Sequence, residues 1–298
     1  MADRQVVARR RAKLPKIDGS QYGAVTSGFL RFRCNSKGVT KSSKSPCAGC
    51  RDGTELAFEF SMAFQPIVDI LDGVPFAYEA LVRGPAGESA ASVLSQVSDS
   101  NRYAFDQQCR VKAIETAAAA GLIEMGARLS INFLPNAVYS PAACIQVTLK
   151  AAKKVDFPTN RLIFEFTENE EMVDPDHVAN IIATYQQMGF GTALDDFGAG
   201  HAGLNLLARF QPDIIKLDME LIRGLDTSMP RRMIVNAVVK MCDSLGVTVI
   251  AEGIETAGEL DALRTMGVRY VQGFYFAKPE FEALPPVALH LSEERRFA

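Results

Sequence analysis

The chain has 298 residues, 48 % of them hydrophobic, with 22 Gly and 14 Pro, an ordinary globular composition that suffices for one large domain or two small ones. Its formal net charge of −3 argues against general adhesion to nucleic-acid polymers or membranes, and no run approaches the roughly 18 apolar residues of a membrane span. The charge is uneven: residues 1–60 hold 12 Lys and Arg against 5 Asp and Glu, leaving 20 against 30 in the remainder.

Residues 1–55 are basic, rich in Ser and Gly, and aperiodic. They read as a flexible extension. The start, MADRQVVARRRAKLPK, carries positive charge with no apolar segment behind it, so no signal peptide is expected and the cytoplasm is the expected location. Cys34, Cys47 and Cys50 cluster here, the last two as a C-x2-C pair. Three thiols with no nearby histidine fall short of the four ligands of a structural zinc site. A metal knot completed by a partner chain, a redox pair and a reduced, unstructured tail all remain open. Cys109, Cys144 and Cys242 stand in apolar or helical contexts and read as core thiols.

From residue 56 to 298 the pattern changes to short apolar runs alternating with helical ones. Strands are expected at 60–69, 76–84, 128–135, 161–168, 191–198, 213–218, 247–255 and 268–279, with helical segments between them such as 102–122, 175–189, 230–246 and 256–267. Several helical segments end in Gly before the next strand, as C-caps do. Eight strands in this alternation predict an α/β fold, a TIM-type (β/α)8 barrel behind the N-terminal extension. A doubly wound open sheet is the alternative, but the first strand lacks the Gly-rich phosphate turn it would carry.

A barrel does its chemistry at the C-terminal ends of its strands. Polar residues punctuate the apolar runs there: Gln65; Glu79 and Arg83; Asn132; Glu165 and Glu168; Asp195 and Asp196; Lys216; Glu252 and Glu255; Gln272. One buried acid reads equally well as a structural ion pair, but the strands supply mainly Lys216 and Arg83 as cations. Carboxylates crowded in one mouth repel, and two divalent cations would balance them. An all-oxygen set suits Mg²⁺ or Mn²⁺, and His177, His201 and His290 lie elsewhere in the chain. Neighbours on a strand point to opposite faces. Asp195 and Asp196 therefore share a site only if the chain turns between or just after them, and Phe197–Gly200 is the expected turn.

At these residues the sequence resembles the EAL-domain family, the phosphodiesterases of cyclic di-GMP. The signature YEALVRG (78–84) is followed in order by INF (131–133), FEFTE (164–168), DDFGAG (195–200), DIIKLD (213–218), AEGIE (251–255) and QGFYFAKP (272–279), with QPIVD (65–69) before it. The resemblance implies two metal ions held by Glu79, Asn132, Glu165, Asp195, Asp196 and Glu252, with Lys216 near the attacking water. It implies catalytic roles for Lys216, Glu252 and Glu79. Gln65, Leu81, Arg83, Gln272 and Pro279 would contact the substrate. Glu168 would support the 195–200 loop, and Glu255 would stand beside the site. Family members often dimerise next to that loop. The 84–110 region departs from the common family pattern and resembles the subgroup found with blue-light-sensing BLUF domains. The implied activity is hydrolysis of cyclic di-GMP to linear pGpG. A rival reading is a receptor that binds the nucleotide without cutting it and signals through protein contacts.

Overall fold

β1 (Ser61–Asp69), β2 (Val74–Arg83), β3 (Arg128–Asn132), β4 (Leu162–Thr167), β5 (Gly191–Phe197), β6 (Ile214–Leu217), β7 (Thr248–Ala251) and β8 (Tyr270–Gln272) pair edge to edge into a closed ring. The computed structural model describes residues 56–138, 140–167, 175–200 and 203–287. Cys34, Cys47, Cys50 and Glu168 lie outside them. From β2 to β8 each strand runs parallel to the next. Between these strands lie α1 (Arg102–Ala119), α2 (Pro141–Lys154), α3 (Pro175–Gln187), α4 (Gly203–Arg209), α5 (Met229–Leu245) and α6 (Ala257–Thr265). The expected TIM-type barrel is present.

One strand departs from the regular alternation. β1 runs antiparallel to both β2 and β8, because only four residues separate β1 from β2. A parallel crossover needs about a dozen residues. The Asp69 carboxylate accepts hydrogen bonds from the backbone N–H of Leu71 (3.0 Å) and Asp72 (3.3 Å), and Gly73 takes a φ of 73°, closing a hairpin. A two-residue strand, β9 (Glu280–Phe281), pairs with β1.

Two layers of apolar side chains hold the barrel. Outside the ring, Leu129, Phe164 and Phe166 pack with Ile114, Ile145 and Tyr185 from the helices. Inside it, Ile67, Ala77, Ile163, Ala193, Ile214 and Ile250 form a separate plug. Side chains on a strand alternate with period two. Two residues beyond the plug, the same faces therefore carry Glu79, Glu165, Asp195, Lys216 and Glu252. On the reversed β1 the equivalent position comes two residues earlier, at Gln65. The plug closes the lower barrel and confines polar chemistry to one rim.

β7 and β8 are shorter than the apolar runs 247–255 and 268–279 suggest. The residues that follow them are apolar because their loops dock on each other. The Ile254 N–H donates to the Gln272 carbonyl (3.1 Å), and the Tyr275 N–H donates to the Ile254 carbonyl (3.0 Å). Only glycine fits at 273, where a Cβ would lie 2.1 Å from the Ile254 carbonyl oxygen. Cys109, Cys144 and Cys242 are free thiols. Burial pushes the Cys242 thiol up to about 11 and raises Cys109 further, which leaves both unreactive. No helix among the described residues is long and apolar enough to cross a membrane.

Candidate active site

Lys216 stands at the centre of the rim, with 1 % of its surface exposed. Its Nζ lies 2.7 Å from Glu252 Oε1, 2.8 Å from Glu165 Oε2, 3.1 Å from Asp195 Oδ1 and 3.3 Å from Glu79 Oε2. An ammonium group has three N–H donors, so four carboxylates cannot all be satisfied. The one aligned hydrogen bond of Lys216 goes to Glu165 Oε2, and Asp195 Oδ1 is buried and within ion-pair distance, yet has no aligned hydrogen bond.

The other ends of these groups are also held. Asn132 Nδ2 donates to Glu79 Oε1 at 3.0 Å, and Gln272 Nε2 donates to Glu79 Oε2 at 2.8 Å. Glu165 is fully buried; its Oε1 accepts from the Ser130 hydroxyl and its Oε2 from Lys216. Gln272 also donates to Gln65 Oε1 (3.2 Å), and Gln65 Nε2 donates to the Ala277 carbonyl (3.2 Å).

A β-bulge brings the two adjacent aspartates to one side. Leu194 pairs with Ile215 and Phe197 with Leu217, so Asp195 and Asp196 together oppose Lys216. Asp196 adopts a φ of 56°, a conformation in which a non-glycine residue is strained and often functional. The turn expected over Phe197–Gly200 thus begins one residue earlier, at Asp196.

Carboxylate oxygens of Glu79, Glu165 and Asp195 lie within 4.8 Å of one another, as do those of Asp195, Asp196 and Glu252. The two groups share Asp195, whose buried Oδ1 has an ion pair with Lys216 but no aligned hydrogen bond. This all-oxygen, strongly acidic set fits a pair of hard divalent cations.

The protonation of these groups follows from burial and from Lys216. Burial pushes Glu165 up to about 8 against the pull of Lys216, with Glu79 and Asp195 adding repulsion. Burial, then the charges of Asp195 and Asp218, raise Asp196 to about 6. Burial also raises Glu252 and Asp195 despite the lysine. Burial would raise Glu79 as well, but Lys216, Gln272 and Asn132 hold it below its usual value. Burial disfavours the ammonium of Lys216, but the four surrounding acids outweigh that and keep it charged. At neutral pH the metal-free site therefore holds protons that a cation must displace. We expect Mn²⁺ affinity, measured by isothermal titration, to rise from pH 6 to pH 8 by roughly tenfold per pH unit for each proton released. A flat profile would mean that these carboxylates are not the ligands.

Gln65, Glu79, Asp195, Asp196, Lys216, Glu252, Glu255 and Gln272 line one cavity of about 310 Å³. Leu81 and Arg83 do not. They line a neighbouring apolar cavity of about 330 Å³, which Asn132 also borders. The Arg83 guanidinium donates to the Val82 carbonyl at 2.7 Å. Pro279 lines neither cavity. Ser130, Asp218, Arg223 and Phe274 escaped sequence reasoning as site residues. Ser130 had a signal: it lies two residues before Asn132, on the same strand face. Asp218 closes the quoted DIIKLD run. Phe274 stands in the quoted QGFYFAKP run, whereas Arg223 had no signal, because it lies in a loop beyond the strands.

A family model described as the EAL domain matches residues 54–279. The blue light- and temperature-regulated antirepressor BluF of Escherichia coli is 36 % identical over 76 % of this chain and 56 % of its own length. The cyclic di-GMP phosphodiesterase PA2567 of Pseudomonas aeruginosa is 28 % identical over 76 % of this chain and 39 % of its own. The chain thus spans little more than half, or less, of these curated relatives. Among solved structures, a standalone versatile EAL protein from Vibrio cholerae in its c-di-GMP-bound form is 51 % identical, with a TM-score of 0.76 over 78 % of this chain and 98 % of that one. Klebsiella pneumoniae BlrP1, in a manganese/cy-diGMP complex, is 34 % identical, with a TM-score of 0.71 over 76 % of this chain and 57 % of that one.

Proposed function

Because the chain belongs to the EAL-domain family, we propose that it is a metal-dependent phosphodiesterase that opens cyclic di-GMP to linear pGpG. The observation that carries this reading is the pair of carboxylate triads joined at Asp195. The c-di-GMP bound to the Vibrio cholerae protein and the manganese in the BlrP1 complex support the choice of ligand and cofactor. Glu79, Asn132, Glu165 and Asp195 would hold one Mg²⁺ or Mn²⁺; Asp195, Asp196 and Glu252 would hold the other. Bound divalent cations would supply an acidified water and charge neutralisation at the phosphodiester.

The chain's own groups divide the remaining work. Lys216 is buried, and the surrounding acids keep its proton on, so it contributes positive charge and orientation rather than a base. Glu252 is partly open to the cavity, with 18 % of its side chain exposed, and Lys216 fixes one of its oxygens. Its place at the open side of the cavity, with one oxygen held by Lys216, suits a group that accepts a proton from the attacking water. Gln65 and Gln272 offer amides at the cavity wall. Phe274, 54 % exposed at the rim, offers a face on which a base can stack.

The reading extends to a cytoplasmic homodimer joined near the 195–200 loop, supported by Leu204, an apolar side chain 63 % exposed just beyond that loop. A second reading has its own support: the BluF relative is an antirepressor, which favours a non-hydrolytic receptor that signals through protein contacts. Incubation with cyclic di-GMP and Mn²⁺, followed by chromatography, separates the two. We expect pGpG to accumulate; tight binding with no product would select the receptor.

A further inference from the structure

Six carboxylates and two cations line the cavity, yet the proposed ligand is a dianion. One of the cations, Lys216, is buried and committed to four acids. The other is Arg223, in the loop after β6. Among the described residues that line the cavity it is the only cation a ligand can reach, with 41 % of its side chain exposed. Its Nη1 pairs with Glu255 Oε2, and the Glu255 side chain is 40 % exposed. An ion pair this open to water contributes little net stability, so exchanging the carboxylate for another anion costs little.

The loops that carry the pair do not depend on it. Glu259 is 2 % exposed. It accepts from the Gly224 N–H with Oε1 (2.9 Å) and from the Glu255 and Thr256 N–H groups with Oε2 (3.0 and 3.1 Å). The Thr256 hydroxyl completes a capping box at the start of α6. This brace ties the loop after β6 to the loop after β7. It leaves the Arg223 side chain free to change partner without moving its backbone.

Resting on the phosphodiesterase reading above, we infer that Arg223 is a substrate-binding residue and that Glu255 is its resident competitor. A phosphate oxygen of the incoming cyclic dinucleotide displaces the Glu255 carboxylate from the guanidinium, whose planar fork matches phosphate geometry. Glu255 thereby sets the affinity of the open site instead of merely supporting a loop.

The inference makes predictions of opposite sign for the two partners. Binding of cyclic di-GMP is measured by isothermal titration in EDTA, which separates binding from turnover. R223Q weakens binding by roughly tenfold or more, and R223K recovers part of the loss. E255Q tightens binding severalfold in the wild-type background. In an R223Q background that gain disappears, because the gain comes from releasing the arginine. Three results would overturn the inference: R223Q binding like wild type, both single variants weakening binding alike as a loop brace would, or E255Q giving the same gain with and without Arg223. If wild-type protein bound no cyclic di-GMP in EDTA and formed no pGpG with Mn²⁺, the proposed function would fall along with it.

Discussion

Asp195→Asn should abolish nearly all turnover of cyclic di-GMP, with a loss of roughly 10³-fold or more, or about 4 kcal/mol of transition-state stabilisation. The reason is positional. Asp195 is the one side chain common to both carboxylate groups, and its Oδ1 is the buried oxygen left without a hydrogen bond. Asparagine keeps the volume but removes the charge and replaces one oxygen with a donor. Both proposed cations then lose a ligand together. Since Lys216 retains Glu79, Glu165 and Glu252 as partners, the barrel should stay folded. The assay is kcat with saturating Mn²⁺, alongside a thermal melt that establishes folding. Activity within tenfold of wild type in a folded protein would remove Asp195 from the centre of the account.

Lys216→Met should show its largest effect on stability. Removing the ammonium leaves four carboxylates facing one another in a site where Glu165 is fully buried and Glu79 is 6 % exposed. Breaking a buried charge network by deleting one partner costs about 3–5 kcal/mol. The loss must depend on pH. Without the lysine, the folded-state pKa values of Glu165, Asp195 and Glu252, already raised, move further above their unfolded values, and Glu79 loses the charge that holds it down. The stability contributed by their protonated forms is complete below the unfolded value, near 4.5 for glutamate, and is lost as pH rises through the folded values. Metal-free K216M should therefore be far less stable than wild type at pH 8 and closer to it at pH 5.5, as read by urea denaturation. Mn²⁺ should recover part of the difference at pH 8 by replacing the missing positive charge. An equal deficit at both pH values would show that the lysine and the acids are not electrostatically linked.

Much of this geometry was legible because barrel strands repeat every two residues. The pairs Ala77 and Glu79, Ile163 and Glu165, Ala193 and Asp195, Ile214 and Lys216, and Ile250 and Glu252 each place a polar group on the strand face that carries the apolar plug. In the sequence these appear as charges interrupting apolar runs, which is costly unless they converge. The ring closure was legible from the count of eight runs. The direction of β1 was readable in principle, since Asp72–Gly73 is a strong turn signal, but the strand–helix rhythm of the remainder outweighed it.

What sequence periodicity could not show lay where the backbone stops being regular. Apolarity marks burial, and the loops after β7 and β8 are buried against each other at Ile254 and Gly273. Their runs therefore read as longer strands than exist. The bulge at Asp196 requires knowing that β5 and β6 pair two residues against one, which is tertiary information. The same holds for the cavity walls. Arg83 and Leu81 sit on β2 beside Glu79 in sequence, yet they line a different cavity from it. Arg223 faces the site across a loop that no strand pattern reaches.

The whole account depends on acids from separate strands gathering around two cations that share Asp195. Crystals grown with Mn²⁺ and cyclic di-GMP, with diffraction recorded at the manganese absorption edge, would test this directly. Two anomalous peaks per chain are expected, one beside Glu79, Glu165 and Asp195, the other beside Asp195, Asp196 and Glu252. A single peak, or peaks away from these carboxylates, would contradict it.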